Sequence, residues 1–264
     1  MKLKRLLATL TAVLTIGSLF ALTACGGSDD DKTKKPGNDD TNTSEEETLV
    51  SEKVTKEQWI AAFSADNFKN VKIEMPFEEK EEFFDKDGNK EDYRNTKDDA
   101  VIIVADGVYY YKRQLIEESS FDEDYEEGDE YYYVVEGDLK YTKDDDGKWT
   151  KGPAASYDYE ENVTDLEESM EYYGTLYDDS TYDTEAGVYV YTVTYEDGEE
   201  WFTATIKETY KFIFKDNKIV EIQYEHNYES IHTDEDESYS EISKETGYLK
   251  FTFGGQILTL PKVD

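Results

Sequence analysis

Strand-length runs of alternating apolar and polar residues, punctuated by short turn signals, constrain this chain more than any other feature. WFTATIKETYKFIF, residues 201–214, leads through KDNK at 215–218 into IVEIQYEHNYES, residues 219–230. In the first run Phe202, Ala204, Ile206, Tyr210, Phe212 and Phe214 share one face, and the other face is mostly Thr and Lys. In the second, Ile222, Tyr224, His226 and Tyr228 oppose Glu221, Gln223, Glu225 and Asn227. Successive side chains of a strand point to opposite sides, so both runs predict strands with one covered and one wet face. Further turn signals are DKDGNK at 85–90, ADG at 105–107, EGD at 136–138, DDDGK at 144–148 and EDGE at 196–199. Asp-Gly and Asn tolerate the left-handed backbone that hairpin turns require. Between them lie VKIEMPFEEKEEFF, AVIIV, VYYYKRQLI, EYYYVV, LKYTK and VYVYTVTY, with SYSEISKETGYLKFTF and QILTL after the last turn. The spacing predicts a mainly β, antiparallel meander of about nine to eleven strands.

A sheet with one apolar face needs a cover, and two helices are readable. TKEQWIAAFSADN, residues 55–67, opens with a Thr55/Gln58 capping box, and Val54 is placed to staple against Trp59. Trp59, Ile60 and Phe63 form its apolar stripe. TDLEESMEYYGTLYDD, residues 164–179, offers a second capping box in Thr164 and Glu167. Leu166, Met170, Tyr173 and Tyr177 recur there at helical spacing, and Gly174 weakens the pattern. The plainer reading of both stripes is core packing. The sharper one makes the second helix, through Leu166, Met170 and Tyr173, a lid over an apolar groove lined by Phe202, Tyr210, Phe212, Phe214 and Tyr224.

Charge narrows the partners. The formal net charge is −36. Affinity for nucleic acid rests on Lys and Arg neutralising phosphates, so a nucleic-acid partner is not expected. High charge can also signal disorder, but 23 Tyr, 12 Phe and 3 Trp fall mostly in the alternating runs, which argues for a folded acidic domain.

The N-terminus reads differently. Lys2, Lys4 and Arg5 precede an apolar run from Leu6 to Leu22, the layout of a secretory signal and short for a membrane span. Leu22-Thr23-Ala24-Cys25 then resembles the bacterial lipobox, and Cys25 is the chain's one cysteine. That resemblance implies cleavage before Cys25 and acylation of its thiol by palmitate-type chains. Residues 1–24 would then be a lipoprotein signal peptide, and its loss would take three positive charges, moving −36 to about −39. Two or three acyl chains give a stable anchor where one gives marginal binding. Residues 25–53 are nearly free of apolar side chains and predict a flexible acidic tether, with residues 54–264 as a single sheet domain. The protein is expected on the outer, extracytoplasmic face of the cell membrane.

A lipobox, a tether, a capped Trp-bearing helix and a long meander broken by one helical segment together resemble the LolA/LppX-type lipoproteins. The ending YLKFTFGGQILTLP is similar to the closing strands of uncharacterised Gram-positive lipoproteins of this type. The resemblance implies an open half-barrel with helices in its concave side, and a carrier of lipids or lipidated proteins.

Catalytic patterns are not found. His226 and His232 fall on one strand face about 20 Å apart, too far to share a metal or a triad, and read as exposed strand histidines. Asp85–Asn89 resembles a calcium loop, but Lys90 stands where the pattern needs Gly and Thr96 where it needs Glu, so it reads as a hairpin turn. The acidic clusters 122–130 and 234–237 carry enough carboxylates to hold calcium weakly, and the reading preferred is solvated loops that cap sheet edges. No cofactor or metal is expected. Three function classes follow. A carrier of an apolar ligand, such as a lipid or acyl chain, requires an unfilled concave face. A surface-interaction or glycan-binding protein requires a filled core and exposed Tyr or Trp on the outer face. An enzyme requires two close, differently solvated carboxylates. The non-enzymatic carrier is the leading expectation.

Overall fold

The turn residues place the strands. Asp106 and Gly107, and Asp216 and Asn217, adopt positive φ at the tips of two-residue hairpins. At 85–89 the Asp85 carboxylate accepts from the backbone N–H groups of Asp87 and Asn89, and Gly88 takes φ +80, which makes this segment a hairpin turn. The structure, a computed structural model, describes residues 50–120, 125–135, 139–143, 147–153, 159–199, 202–233 and 238–263. Residues 1–49, with the expected signal peptide, Cys25 and most of the expected tether, lie outside the described residues, as do the side chains of both acidic clusters and Trp201.

The strands are β1 (Val71–Phe84), β2 (Lys90–Ala105), β3 (Val108–Ser119), β4 (Tyr125–Val135), β5 (Leu139–Lys143), β6 (Trp149–Pro153), β7 (Thr181–Asp183), β8 (Val188–Glu199), β9 (Phe202–Lys215), β10 (Lys218–Thr233) and β11 (Ser238–Phe253). They form one open antiparallel sheet in the order β6-β5-β4-β3-β2-β1-β11-β10-β9-β8-β7. Every neighbour is consecutive in the chain except at the central seam, where β1 pairs with β11. The sheet does not close into a barrel, in keeping with an open half-barrel. Helix α1 is Lys56–Ala62 and helix α2 is Tyr159–Thr175. Because α2 joins β6 to β7, the two edge strands, this connection has to run from one edge of the sheet to the other.

Both helices cover one face, here the inner face. The Thr55 hydroxyl accepts from Gln58 N–H while the Gln58 side chain accepts from Thr55 N–H, so the first capping box forms. Trp59 is fully buried against Tyr189, Phe212 and Phe214, and its indole N–H donates to the Tyr173 carbonyl, 2.9 Å away on α2. Gly174 is where the helices meet. A Cβ there would lie 3.3 Å from the Phe63 Cβ, so the residue that weakens the helix pattern permits the close approach. Phe68, in the 3-10 turn Ala65–Lys69, packs on Phe251 and Phe253.

Several boundaries differ from expectation. Helix α2 begins at Tyr159, so Thr164 is interior and no capping box forms there; the preceding residues continue the helical turn. The hairpin expected at EDGE closes later, because Glu199 already pairs with Phe202 and Gly198 lies within β8. QILTL is not a strand. Gly254 and Gly255 take positive φ and turn the chain away, and Asn70 pins it by accepting from Gln256 N–H at 3.0 Å. Finally, the domain begins before residue 54. Ser51 is buried, donates its N–H to the Gly187 carbonyl and accepts from Phe214 N–H, so Ser51 and Glu52 are tied to the sheet and do not extend the tether.

Candidate functional site

Four of the five residues expected to line an apolar groove, Tyr210, Phe212, Phe214 and Tyr224, lie instead in the core. Phe212 and Phe214 are fully buried, and Trp59 and Phe63 cover both. Tyr210 packs against Tyr173, and Tyr224 lies beside His226. Phe202 is ten residues along the strand from Phe212, its ring tilted against that of His232, and shares no site with Phe212. On the expected lid, Met170 and Tyr173 are buried and Leu166 is half-buried. Tyr173 contacts Phe63, Tyr210 and Phe212, so α2 is a packed cover over a filled face. The physical reason is aromatic volume. Trp59 on α1, Phe63 at its C-terminal cap, Tyr173 on α2 and Leu176 in the 3-10 turn that follows fill the hollow above β8, β9 and β10.

Beyond the helices the same inner face turns polar. The register brings Glu79 of β1 opposite Glu245 of β11, Glu245 opposite His226 of β10, and His226 opposite Glu208 of β9. These four form one row across the sheet. Tyr195 and Tyr210 donate their hydroxyls to Glu208, at 3.1 and 3.4 Å. The Tyr210 oxygen lies 3.0 Å from His226 Nε2, and His226 Nδ1 lies 3.9 Å from Glu245 Oε2. Ser243 donates to Glu79 at 2.8 Å. Burial, with the Glu81 carboxylate nearby, pushes the Glu79 carboxyl up to about 7. Burial also raises Tyr210 and Tyr224 well above the ordinary phenol range, reinforced at Tyr210 by Tyr173 and Glu208 and at Tyr224 by Glu245, so both stay protonated donors. Next to this row Arg94 holds Glu81 through two hydrogen bonds, and Arg113 holds buried Asp98.

His226 is therefore a half-buried member of a polar row and not the exposed histidine expected. The acidic members carry a legible sequence signal. The apolar series of β9, Phe202, Ala204, Ile206 and Tyr210, is broken only at position 208, and that break is Glu208. In β1 the series Val71, Ile73, Met75, Phe77 gives way to Glu79 and Glu81 on the same face. A charge in an otherwise apolar period-two series marks a buried, partnered group.

The opposite, outer face carries a groove of about 820 Å³ across β2, β1, β11, β10 and β9. Lys97, Asp99, Glu78, Thr246, Tyr248, Gln223, Glu225, Thr209 and Lys211 line it, each facing away from the helices by strand alternation. The floor is set at Gly247. Pro76 has no N–H to offer, and the β1–β11 pairing lapses between Glu74 and Phe77. A Cβ at 247 would lie 2.7 Å from the Pro76 carbonyl oxygen and 2.6 Å from the Tyr224 hydroxyl. Only glycine admits both, and the Tyr224 ring fills the space on the inner side. Lys97 pairs with Glu78 at 2.9 Å, Lys244 pairs with Glu225 at 3.0 Å, and Tyr248 is 38% exposed.

Among the described residues no helix is long and apolar enough to cross a membrane, and no cluster of His, Cys, Asp and Glu is placed to hold a metal ion. Comparison with protein-family models gives no match, and comparison with curated proteins gives none.

Proposed function

We propose that this is a membrane-anchored extracytoplasmic lipoprotein that binds a polar ligand, a glycan of neutral or amine-bearing type, on the outer face of its sheet. One observation carries the choice over the apolar carrier. The helix-covered face, where an acyl chain would have to enter, is filled by buried aromatics, whereas the groove opens on the other face. Its size falls within the range of about 300–1,000 Å³ typical of ligand sites. Its lining supports the ligand class. Lys97, Lys211 and Gln223 can donate, Asp99 and Glu225 can accept, and Tyr248 offers a partly exposed ring, which suits hydroxyl-rich ligands. Carboxylates in the groove and a net charge of −36 repel polyanions. The anchor rests on the lipobox and on Cys25, and Cys25→Ala should release the protein from the membrane fraction.

The test is an oligosaccharide array probed with the detergent-solubilised full-length protein, holding N-acetylglucosamine, glucosamine and glucuronate oligomers. Binding to the first or second but not the third is expected, weakened at least about tenfold by Tyr248→Ala, a loss of about 1.4 kcal/mol. Co-purification of a stoichiometric lipid, with no glycan bound, would return the assignment to the carrier.

A further inference from the structure

We propose that the free edge of β8 pairs with the same edge of a second copy of this chain, joining two sheets about a two-fold axis at Tyr195. The three-residue strand β7 covers only Val188–Val190 of β8. From Tyr191 to Glu199, β8 has β9 on one side and no strand on the other. Among the described residues, no hydrogen bond from an element other than β9 reaches the backbone of Tyr191–Tyr195. A row of unpaired N–H and C=O groups is a template for one more strand.

The other open stretches of edge carry features that block pairing. β6 is five residues long and includes Lys151, Gly152 and Pro153. The part of β4 that extends past β5, residues 125–131, reads YEEGDEY, with a carboxylate at four of seven positions. The β8 edge opens instead with Tyr191-Thr192-Val193-Thr194-Tyr195, which holds no charge, no proline and no glycine. These are the residue types most favoured in strands. Charge follows only at Glu196, Asp197 and Glu199.

The shape of the edge selects the occupant and its register. β7 stands out from β8 by one strand as far as Val190, which leaves a recess of nine residues, 191–199. A second copy brings its own β7. The longest pairing in which neither β7 runs into the other β8 sets Tyr191 opposite Glu199. Thr192 then meets Gly198, Val193 meets Asp197, Thr194 meets Glu196 and Tyr195 meets itself. The net charge of −36 makes any contact between carboxylates of two copies costly. In this register each carboxylate of one edge faces an uncharged residue of the other. Glu196 and Glu199 face Thr194 and Tyr191, whose hydroxyls are donors. Charges farther than about 8 Å apart are largely screened at physiological ionic strength. Trp59, Phe63 and Tyr173 lie over the Phe212 end of each sheet, and these ends point in opposite directions, so the helices do not collide. The axis is perpendicular to the sheet, so both outer faces, with their grooves, look the same way.

The experiment uses the full-length protein in detergent. Mild oxidation of Tyr195→Cys should give a covalent dimer through a 195–195 disulfide, identified by mass spectrometry of its peptides. Tyr191→Cys, placed opposite Glu199 of the second copy, should give none. No 195–195 disulfide, or equal cross-linking at both positions, overturns the proposal. A second measurement leaves the Tyr195 contact with Glu208 in place. Thr194 is exposed, opposite Lys207 in its own sheet and Glu196 in the second copy. Thr194→Glu sets like charges opposite each other twice and should weaken the dimer about tenfold or more in sedimentation equilibrium, whereas Thr194→Lys should tighten it. Within one copy the order is reversed, because Lys207 attracts the glutamate and repels the lysine. A dimer affinity that instead tracks the thermal midpoint of the variants overturns the edge pairing. So does a wild type that stays monomeric up to about 0.1 mM. A monomeric wild type whose Tyr191–Tyr195 amides gain exchange protection from an added Lys-Val repeat peptide assigns the edge to a basic partner strand and overturns self-pairing.

Discussion

Two rows of the inner face, four residues apart on the same three strands, have opposite chemistry. Phe212, Ile222 and Leu249 form one row, and Glu208, His226 and Glu245 form the other. Four residues of strand separate them by about 13 Å. The first row lies in the part of the face that Trp59, Phe63 and Tyr173 fill. The second lies past them, bounded by the tyrosine hydroxyls of Tyr195, Tyr210 and Tyr224. The difference shows that the strands do not decide what their inner face must be; the reach of the helices does. Where an aromatic lies above, a carboxylate has no partner to satisfy it. Where none does, carboxylates persist if register supplies a hydroxyl or an arginine.

The comparison can be broken most severely at its apolar end. Phe212→Ala empties a fully buried aromatic site beneath three rings and should destabilise the domain by about 3–5 kcal/mol, read from chemical denaturation. If the loss is below about 1 kcal/mol, the helices are not packed on this row. At the polar end, Arg113→Met strands the buried Asp98 carboxylate. A loss of about 3 kcal/mol at pH 7 is expected, partly recovered in the double variant with Asp98→Asn. An equal loss in single and double variants would mean that Arg113 matters through its hydrocarbon stem alone.

The pH response sharpens the contrast. Glu79 titrates near 7 when folded and at its ordinary value near 4.5 when unfolded, so between these values the folded state holds a proton that the unfolded chain has released. Stability from this group is therefore highest at or below pH 4.5 and falls as pH rises, by about 3 kcal/mol in all by pH 8. Glu79→Gln should remove that slope, whereas Phe212→Ala should shift stability equally at every pH. Smaller still is the helix cap. Thr55→Ala removes one partner of the capping box and should cost about 1 kcal/mol, checked by the shift of the thermal midpoint. Smallest is the solvent-exposed pair on the outer face. Lys97→Ala breaks its contact with Glu78 and should change stability by no more than about 0.5 kcal/mol.

Legibility in the sequence tracked locality. The turn at 85–89, the hairpins at Asp106 and Asn217 and the Thr55/Gln58 cap each depend on a few consecutive residues, and each reads correctly from them. QILTL misled because its β-prone residues say nothing of Gly254 and Gly255 turning the strand aside. Thr164 misled because a capping-box pattern also occurs inside helices. Of the polar row, His226 is visible in the sequence but reads there as exposed, and Glu208 is marked by the break it makes in the apolar series. The pairing of Glu79 with Glu245 had no local trace.

What the sequence determined by itself is therefore the alternation: which side chains of each strand face in, where the chain reverses, and that helices must cover one side. The tertiary structure decided three further things. It set β1 against β11, placed the helices over one end of the inner face, and left the groove on the other. The reason is that a period-two pattern is written into consecutive residues, whereas burial and charge depend on neighbours across strands. A carboxylate's surroundings are fixed only when chain segments from the two ends of the domain meet.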